Sequence, residues 1–210
     1  NFISPAEAIP ILEESGLIIP VGKWIIQNAF SMCTECRKYY PEFRVSINLS
    51  YVQILKSPLM MELKQMIEHS GISCSGIIVE LTESGYLEGT PAVRSVWNDM
   101  KQLRIQIALD DFGTGYSNLM NISNLEPDIV KLDRGFTLKA LSRSYEYQLM
   151  QYVIEMVHKL NQYVCVEGVE TKEDLEKIKA LGPDLIQGYY YSKPCSRDEF
   201  LKKFLAILNS

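Results

Sequence analysis

Apolar residues recur along this chain at two spacings, and the two spacings alternate. Stretches with a period near 3.6 read as helices, and short apolar runs between them read as strands. Ser4-Pro5-Ala6-Glu7 is a capping box with proline at the first helical position, and Gly16 marks a stop. A second helix begins near Pro20, carries Trp24, Asn28 and Met32 along one face, and ends before Pro41. Residues 44–49 read as a strand. Ser57-Pro58 opens a helix with Leu59, Leu63, Met66 and Ile67 on one side, closed by Gly71. Residues 77–81 are the next strand. Thr90-Pro91 opens a helix through Leu103, with Val93, Val96, Trp97 and Met100 inward.

The alternation continues with strands at 105–110 and 129–132. A long helix over 144–160 places Leu149, Val153, Val157 and Leu160 on one face. A strand at 163–167 precedes a helix at 172–181, stopped by Gly182, and the last strand spans 185–190. Ser196-Arg197-Asp198-Glu199 is another capping box, opening a terminal helix through Leu208. No linker or low-complexity tract interrupts this order, so the chain reads as one domain over residues 1–210.

Strands alternating with helices predict an α/β fold with a parallel sheet covered by helices. An open doubly wound sheet and a closed TIM-like β/α barrel both have this pattern. No G-x-G-x-x-G follows the first strand, which weakens a dinucleotide-binding sheet. Nearly every strand ends in a residue able to meet metal or phosphate: Asn48, Glu80, Asp110, Lys131, Glu167 and Gln187. Barrel enzymes build their sites from the C-terminal ends of several strands, so the barrel is favoured. Six strands are legible where a closed barrel of this kind has eight.

Composition adds exclusions. The formal net charge is −5, which gives no support for binding a nucleic-acid polymer through phosphate neutralisation. No apolar run reaches membrane-spanning length, and no signal peptide is visible; a cytoplasmic domain is expected, in a parent protein that membrane anchoring would still suit. The cysteines, Cys33, Cys36, Cys74, Cys165 and Cys195, are odd in number and scattered, which argues against a disulfide scaffold. Cys33 and Cys36 form a CxxC inside a predicted helix with no second CxxC, so neither a redox motif nor a zinc site is read there. The two histidines, His69 and His158, fall in predicted helices, against a zinc centre or a Ser-His-Asp triad.

The stretch 105–117 carries the chemistry. An apolar run ends in Asp110 and Asp111, followed by Gly113 and Gly115. Neighbouring side chains on a strand point to opposite faces, so two adjacent aspartates serve two positions. Paired acids in a cleft need cations, and hard oxygen donors select a divalent ion. With Asn48, Glu80, Asp133 and Glu167 added, the set suits Mg2+ or Mn2+, two of which would clamp a phosphodiester for in-line hydrolysis. An aspartate-capped turn would account for Asp110 and Asp111 alone, but not for six strand ends of the same character. Lys131 lies between Val130 and Leu132, an unnatural place for a solvated lysine. Glu170 reads as structural, orienting its loop or capping the next helix. Of Tyr189, Tyr190 and Tyr191, one is expected in the core and one at the site.

Asn48-Leu49-Ser50, Glu80-Leu81-Thr82-Glu83, Asp-Asp-Phe-Gly-Thr-Gly-Tyr-Ser from Asp110, Lys131-Leu132-Asp133, Glu167-Gly168-Val169-Glu170-Thr171 and Gln187-Gly188-Tyr189 occur in that order. Together they resemble the EAL-domain phosphodiesterases, bacterial enzymes that linearise cyclic di-GMP. The resemblance runs from residue 1 to about residue 200, and Val166 departs from the family's usual alanine. It implies that Asn48, Glu80 and Asp110 ligate one metal and Asp111 a second. It implies that Glu167 is the metal-site carboxylate proposed as general base, and that Lys131 and Asp133 hold the attacking water and the second metal. Glu83 would brace the loop 112–117, Gln187 would contact the ligand, and Pro194 would pack near a guanine. Loop and dimer interface are coupled in the family, so a homodimer is implied, as are regulatory domains in the parent chain, whether GGDEF or sensory.

The glutamate of the family's Glu-Ala-Leu signature belongs upstream of the Ile-Ser-Pro-Ala-Glu segment, before Asn1, together with two further strands. Residues 1–210 alone are therefore expected to hydrolyse poorly. Two other readings stand beside a cyclic di-GMP phosphodiesterase: a receptor or scaffold that holds cyclic di-GMP without cutting it, and a metal-dependent barrel hydrolase of another phosphate ester.

Overall fold

The computed structural model describes residues 3–82, 90–114 and 125–208. The chain divides into two compact units. The first holds α1 (Pro5–Ser15), α2 (Ile18–Arg37), β1 (Val45–Asn48), α3 (Tyr51–Lys56), α4 (Leu59–Ser70), β2 (Ile77–Thr82) and α5 (Pro91–Gln102). The second holds β3 (Gln106–Phe112), β4 (Ile129–Leu132), α6 (Arg134–Ser142), α7 (Ser144–Lys159), β5 (Tyr163–Val166), α8 (Lys172–Lys179) and β6 (Leu185–Ile186). Thr82 and Gln106 are the two strand residues that fall across this division, and the last helix, α9 (Arg197–Leu208), is shared at Leu201.

In the first unit, the Ser4 backbone N–H donates to Glu7 and Gly16 adopts φ 75, so the expected start and stop of α1 are in place. α2 buries Ile18, Gly22, Ile26, Phe30, Cys33 and Cys36. Trp24 is 64% exposed, so the Trp24–Asn28–Met32 line is not the packing face. A Cβ at Gly22 would stand 2.2 Å from the amide nitrogen of buried Gln53, which is how closely α2 approaches α3. Helix α3 was not anticipated, although Ser50 and Gln53 form a capping box at its start. α5 buries Val93, Trp97 and Met100 as expected. Its neighbour β2 is buried from Ile77 to Leu81, as a strand covered on both faces should be.

In the second unit, β3 pairs with β4, β4 with β5 and β5 with β6, all parallel. All four residues of β4 are buried. α7 packs through Met150, Ile154 and Val157, whereas Leu149 and Leu160 are exposed, so the expected face was rotated. Helix α6 precedes it and was missed. β6 has two residues where 185–190 was expected, and Tyr189, Tyr190 and Tyr191 are all exposed, so none of them packs in the core.

Among the described residues there are six strands, parallel to their partners, whose order follows the chain. That is the α/β class and the winding of a β/α barrel. No helix among the described residues is long and apolar enough to cross a membrane.

Candidate functional site

In the first unit, the register of β1 and β2 sets Asn48 beside Glu80. The Leu49 N–H donates to the Glu80 carbonyl at 3.0 Å, carrying the ladder one step past the strand. Glu80 is 6% exposed, and the Ser46 hydroxyl donates to its carboxylate. The loop after Asn48 is braced from α1, since the Ser50 hydroxyl donates to Glu13 at 2.6 Å. The sequence placed Asn48 and Glu80 correctly at strand ends but drew no attention to Ser46, two residues before Asn48 on the same face.

In the second unit, Lys131 is 4% exposed, and its ammonium lies 3.0 Å from Asp110 Oδ1 and 2.7 Å from Glu167 Oε1. A buried ammonium is tolerated because two carboxylates compensate it. The structure thus brings together Asp110 of β3, Lys131 of β4 and Glu167 just past the end of β5. Asp110 also accepts from the Asp111 N–H at 3.0 Å. β3 continues through Phe112 rather than ending at Asp110, and its ladder with β4 slips between Leu109 and Phe112. Asp111 has φ 60 within that irregularity. Asp110 is buried and Asp111 exposed. A bulge re-aims side chains in this way, and it gives the two acids different surroundings.

Asp133 has a visible structural task. Its Oδ1 accepts from the Gly135 N–H at 2.7 Å and the Phe136 N–H at 3.3 Å, capping α6. Gly168, one residue past Glu167, has φ 81, and a Cβ there would fall 2.4 Å from Arg134 Cγ. Arg134 in turn reaches Glu170 with Nε at 3.2 Å and a terminal nitrogen at 2.7 Å. That hydrogen bond and the charge of Glu170 raise the guanidinium's pKa above its ordinary value. Glu170 therefore orients its loop, while Thr171 caps α8. Gly188 lies so close to Val169 that a Cβ would meet its carbonyl at 2.0 Å. Arg134 is the second residue the sequence did not single out, and its place directly after Lys131-Leu132-Asp133 was the available signal.

Gln187 is exposed at the end of β6, its N–H donating to the Val166 carbonyl at 2.9 Å. Pro194 is exposed as well, and the Lys193 ammonium stands 5.7 Å from the centre of the Tyr189 ring. Glu83 and the part of the 112–117 loop beyond Thr114 lie outside the described residues.

The donors fit a hard divalent ion in kind, because they are carboxylate and amide oxygens. Among the described residues no three acidic, histidine or cysteine side chains gather around one point.

The sequence of residues 1–194 matches the EAL domain model, and the chain belongs to the EAL domain family. It is 36% identical over 91% of its length to the uncharacterized protein y4lL of Sinorhizobium fredii. It is 33% identical over 92% of its length to the cyclic di-GMP phosphodiesterase PdeR of Escherichia coli, and 31% identical over 92% to PdeF of the same organism. The chain spans 23%, 29% and 26% of those three proteins respectively. Among solved structures it resembles the EAL enzyme Bd1971 in its cAMP- and cyclic di-GMP-bound form. The TM-score is 0.90 at 30% identity, covering 96% of this chain and 56% of that one. It also resembles a Pseudomonas aeruginosa MucR phosphodiesterase complex with cyclic di-GMP, at TM-score 0.87 and 26% identity, over 94% of this chain and 81% of the other.

Proposed function

We propose that this protein is a phosphodiesterase that hydrolyses cyclic di-GMP to linear pGpG with the aid of Mg2+ or Mn2+, two ions acting together. The observation that carries the reading is Lys131, buried and held between Asp110 and Glu167 at distances of 3.0 and 2.7 Å. The relatives named as cyclic di-GMP phosphodiesterases support the choice of substrate. Asn48, Glu80 and Asp110 would hold one ion and Asp111 the other, and a bound ion supplies Lewis-acid stabilisation and a more acidic water.

The chain's own groups carry the remaining tasks. Water attacks phosphorus in line, one P–O bond to a ribose oxygen breaks, and the leaving oxygen takes a proton from solvent water. Glu167 takes the proton of the attacking water. Lys131 orients that water and stabilises negative charge developing on the phosphoryl oxygens, which favours the transition state over the bound substrate. Asp133 fixes the start of α6 beside Lys131, alongside its proposed part in holding the second ion. Glu83 braces the loop 112–117, while Gln187 and Pro194 contact the nucleotide. A cytoplasmic homodimer controlled by further domains is part of the same proposal.

Chromatography of cyclic di-GMP incubated with Mg2+ and the full-length parent protein tests it. A single product with the mass of linear pGpG, lost on chelation, supports the proposal. Tight binding without cleavage would instead mark a receptor. Cleavage of generic phosphodiesters with cyclic di-GMP spared would mark another hydrolase.

A further inference from the structure

The Ser46 hydroxyl donates to the carboxylate of Glu80, one of the proposed metal ligands. We infer that Ser46 is a positioning residue that presets Glu80 as a metal ligand, an inference that rests on the proposed role of Glu80. Asn48 and Glu80 stand opposite each other in the β1–β2 register, and Ser46 is paired with Ile78, one layer earlier. The Ser46 hydroxyl nevertheless meets Glu80 Oε1, so the glutamate bends back along β1 instead of extending past the strand end. An ionised carboxylate only accepts hydrogen bonds, so the hydroxyl is the donor. That bond takes one lone pair of Oε1 and fixes the rotation of the carboxylate plane. A carboxylate restrained in this way is presented in one orientation to an ion that Asn48 would share.

Glu80 is 6% exposed, and a buried carboxylate has few solvent contacts to hold it in place. Its orientation depends on the protein groups around it, and Ser46 sits on the adjacent strand, where the backbone is rigid. Partners of this kind, one bond removed from the metal, orient the ligand and raise its affinity for the ion. The sequence spacing matches this task. Ser46 and Asn48 are two residues apart, on one face of β1, so a single strand supplies both a ligand and the group that aims its neighbour.

The test is calorimetric titration of the protein with manganese chloride, without nucleotide, for the wild type and for S46A, S46T, E80Q and the S46A/E80Q pair. S46A should weaken Mn2+ binding about tenfold, as loss of such a partner does. S46T keeps the hydroxyl and should restore wild-type affinity. E80Q should weaken binding at least as much, and S46A should add nothing in its presence, because the two act through one group. Thermal melting without metal should be alike for S46A and wild type, which separates aiming from folding. If E80Q weakens binding and S46A does not, the positioning role is overturned while Glu80 stands as a ligand. If E80Q leaves Mn2+ affinity unchanged, the ligand reading of Glu80 fails, and the role of Ser46 falls with it. Equal losses in S46A and S46T would also overturn the inference, since the hydroxyl would then be irrelevant.

Discussion

The ammonium of Lys131 lies 2.7 Å from a carboxylate oxygen of Glu167, the residue that follows the neighbouring strand β5. The same ammonium is 3.0 Å from Asp110. One cation therefore sets the position of two acids, and its removal leaves both without it. Lys131→Ala should lower turnover about 100-fold, with the Michaelis constant within about threefold of wild type, because charge developed in the transition state is what Lys131 meets. Steady-state kinetics with saturating Mg2+ reads this. A large rise in the Michaelis constant with turnover kept would make Lys131 a binding residue only.

Asp110 is buried and shares Lys131 with Glu167. Asp110→Asn preserves shape and removes one negative charge. Ligand charge sets the affinity of hard-ion sites, so Mn2+ binding should weaken by about tenfold or more. Calorimetry with the metal alone checks it, and unchanged affinity would remove Asp110 from the ligand set.

Gly168→Ala should destabilise the fold by about 1–3 kcal/mol, through a left-handed backbone that alanine disfavours. It also places a methyl group against Arg134, whose Cγ is 2.4 Å from the ideal Cβ position. Adding Arg134→Ala should relieve the crowding and recover only part of the loss, because φ 81 remains. Denaturant unfolding of both variants decides. Full recovery in the double variant would mean that crowding, not backbone strain, sets the cost.

Burial pushes the Cys33 thiol pKa up, against a smaller lowering by Arg37. The thiolate is the reactive form, so Cys33 should resist alkylation at neutral pH. Cys36 is buried as well and should resist with it, while the partly exposed Cys74 and Cys195 react first. Mass spectrometry of iodoacetamide-treated native protein reads the order. Early labelling of Cys33 would contradict its placement in α2.

The order of the six strands and the β4 boundaries, Ile129–Leu132, are legible in the sequence because short apolar runs and the stops between them are local signals, whereas the short helices α3 and α6 are not. Helix faces were less legible. In α7 the choice between Leu149 and Met150 depends on what lies across from the helix, and the structure buries Met150. In α2 a tryptophan drew the reading to an exposed face, while Gly22, with no side chain to count, marks the close contact. Asp133 belongs to a chemical motif and also caps α6, and an aspartate with two tasks shows only one of them in the sequence.

The candidate site followed the same division. Motif residues announced Asn48, Glu80, Asp110, Lys131 and Glu167, but pairwise geometry needed coordinates. The Lys131 bridge joins residues far apart in the chain, and Ser46 carries no motif signal by itself. The bulge in β3, which buries Asp110 and exposes Asp111, also depends on pairing with β4.

The most direct measurement is the fate of cyclic di-GMP when the intact protein is supplied with Mg2+ or Mn2+, followed by chromatography and mass spectrometry. The account predicts steady conversion to linear pGpG with either ion. It predicts that chelation stops the reaction, that added metal restores it, and that Lys131→Ala slows it about 100-fold. Cyclic di-GMP recovered intact from a metal-loaded protein that binds it would contradict the account.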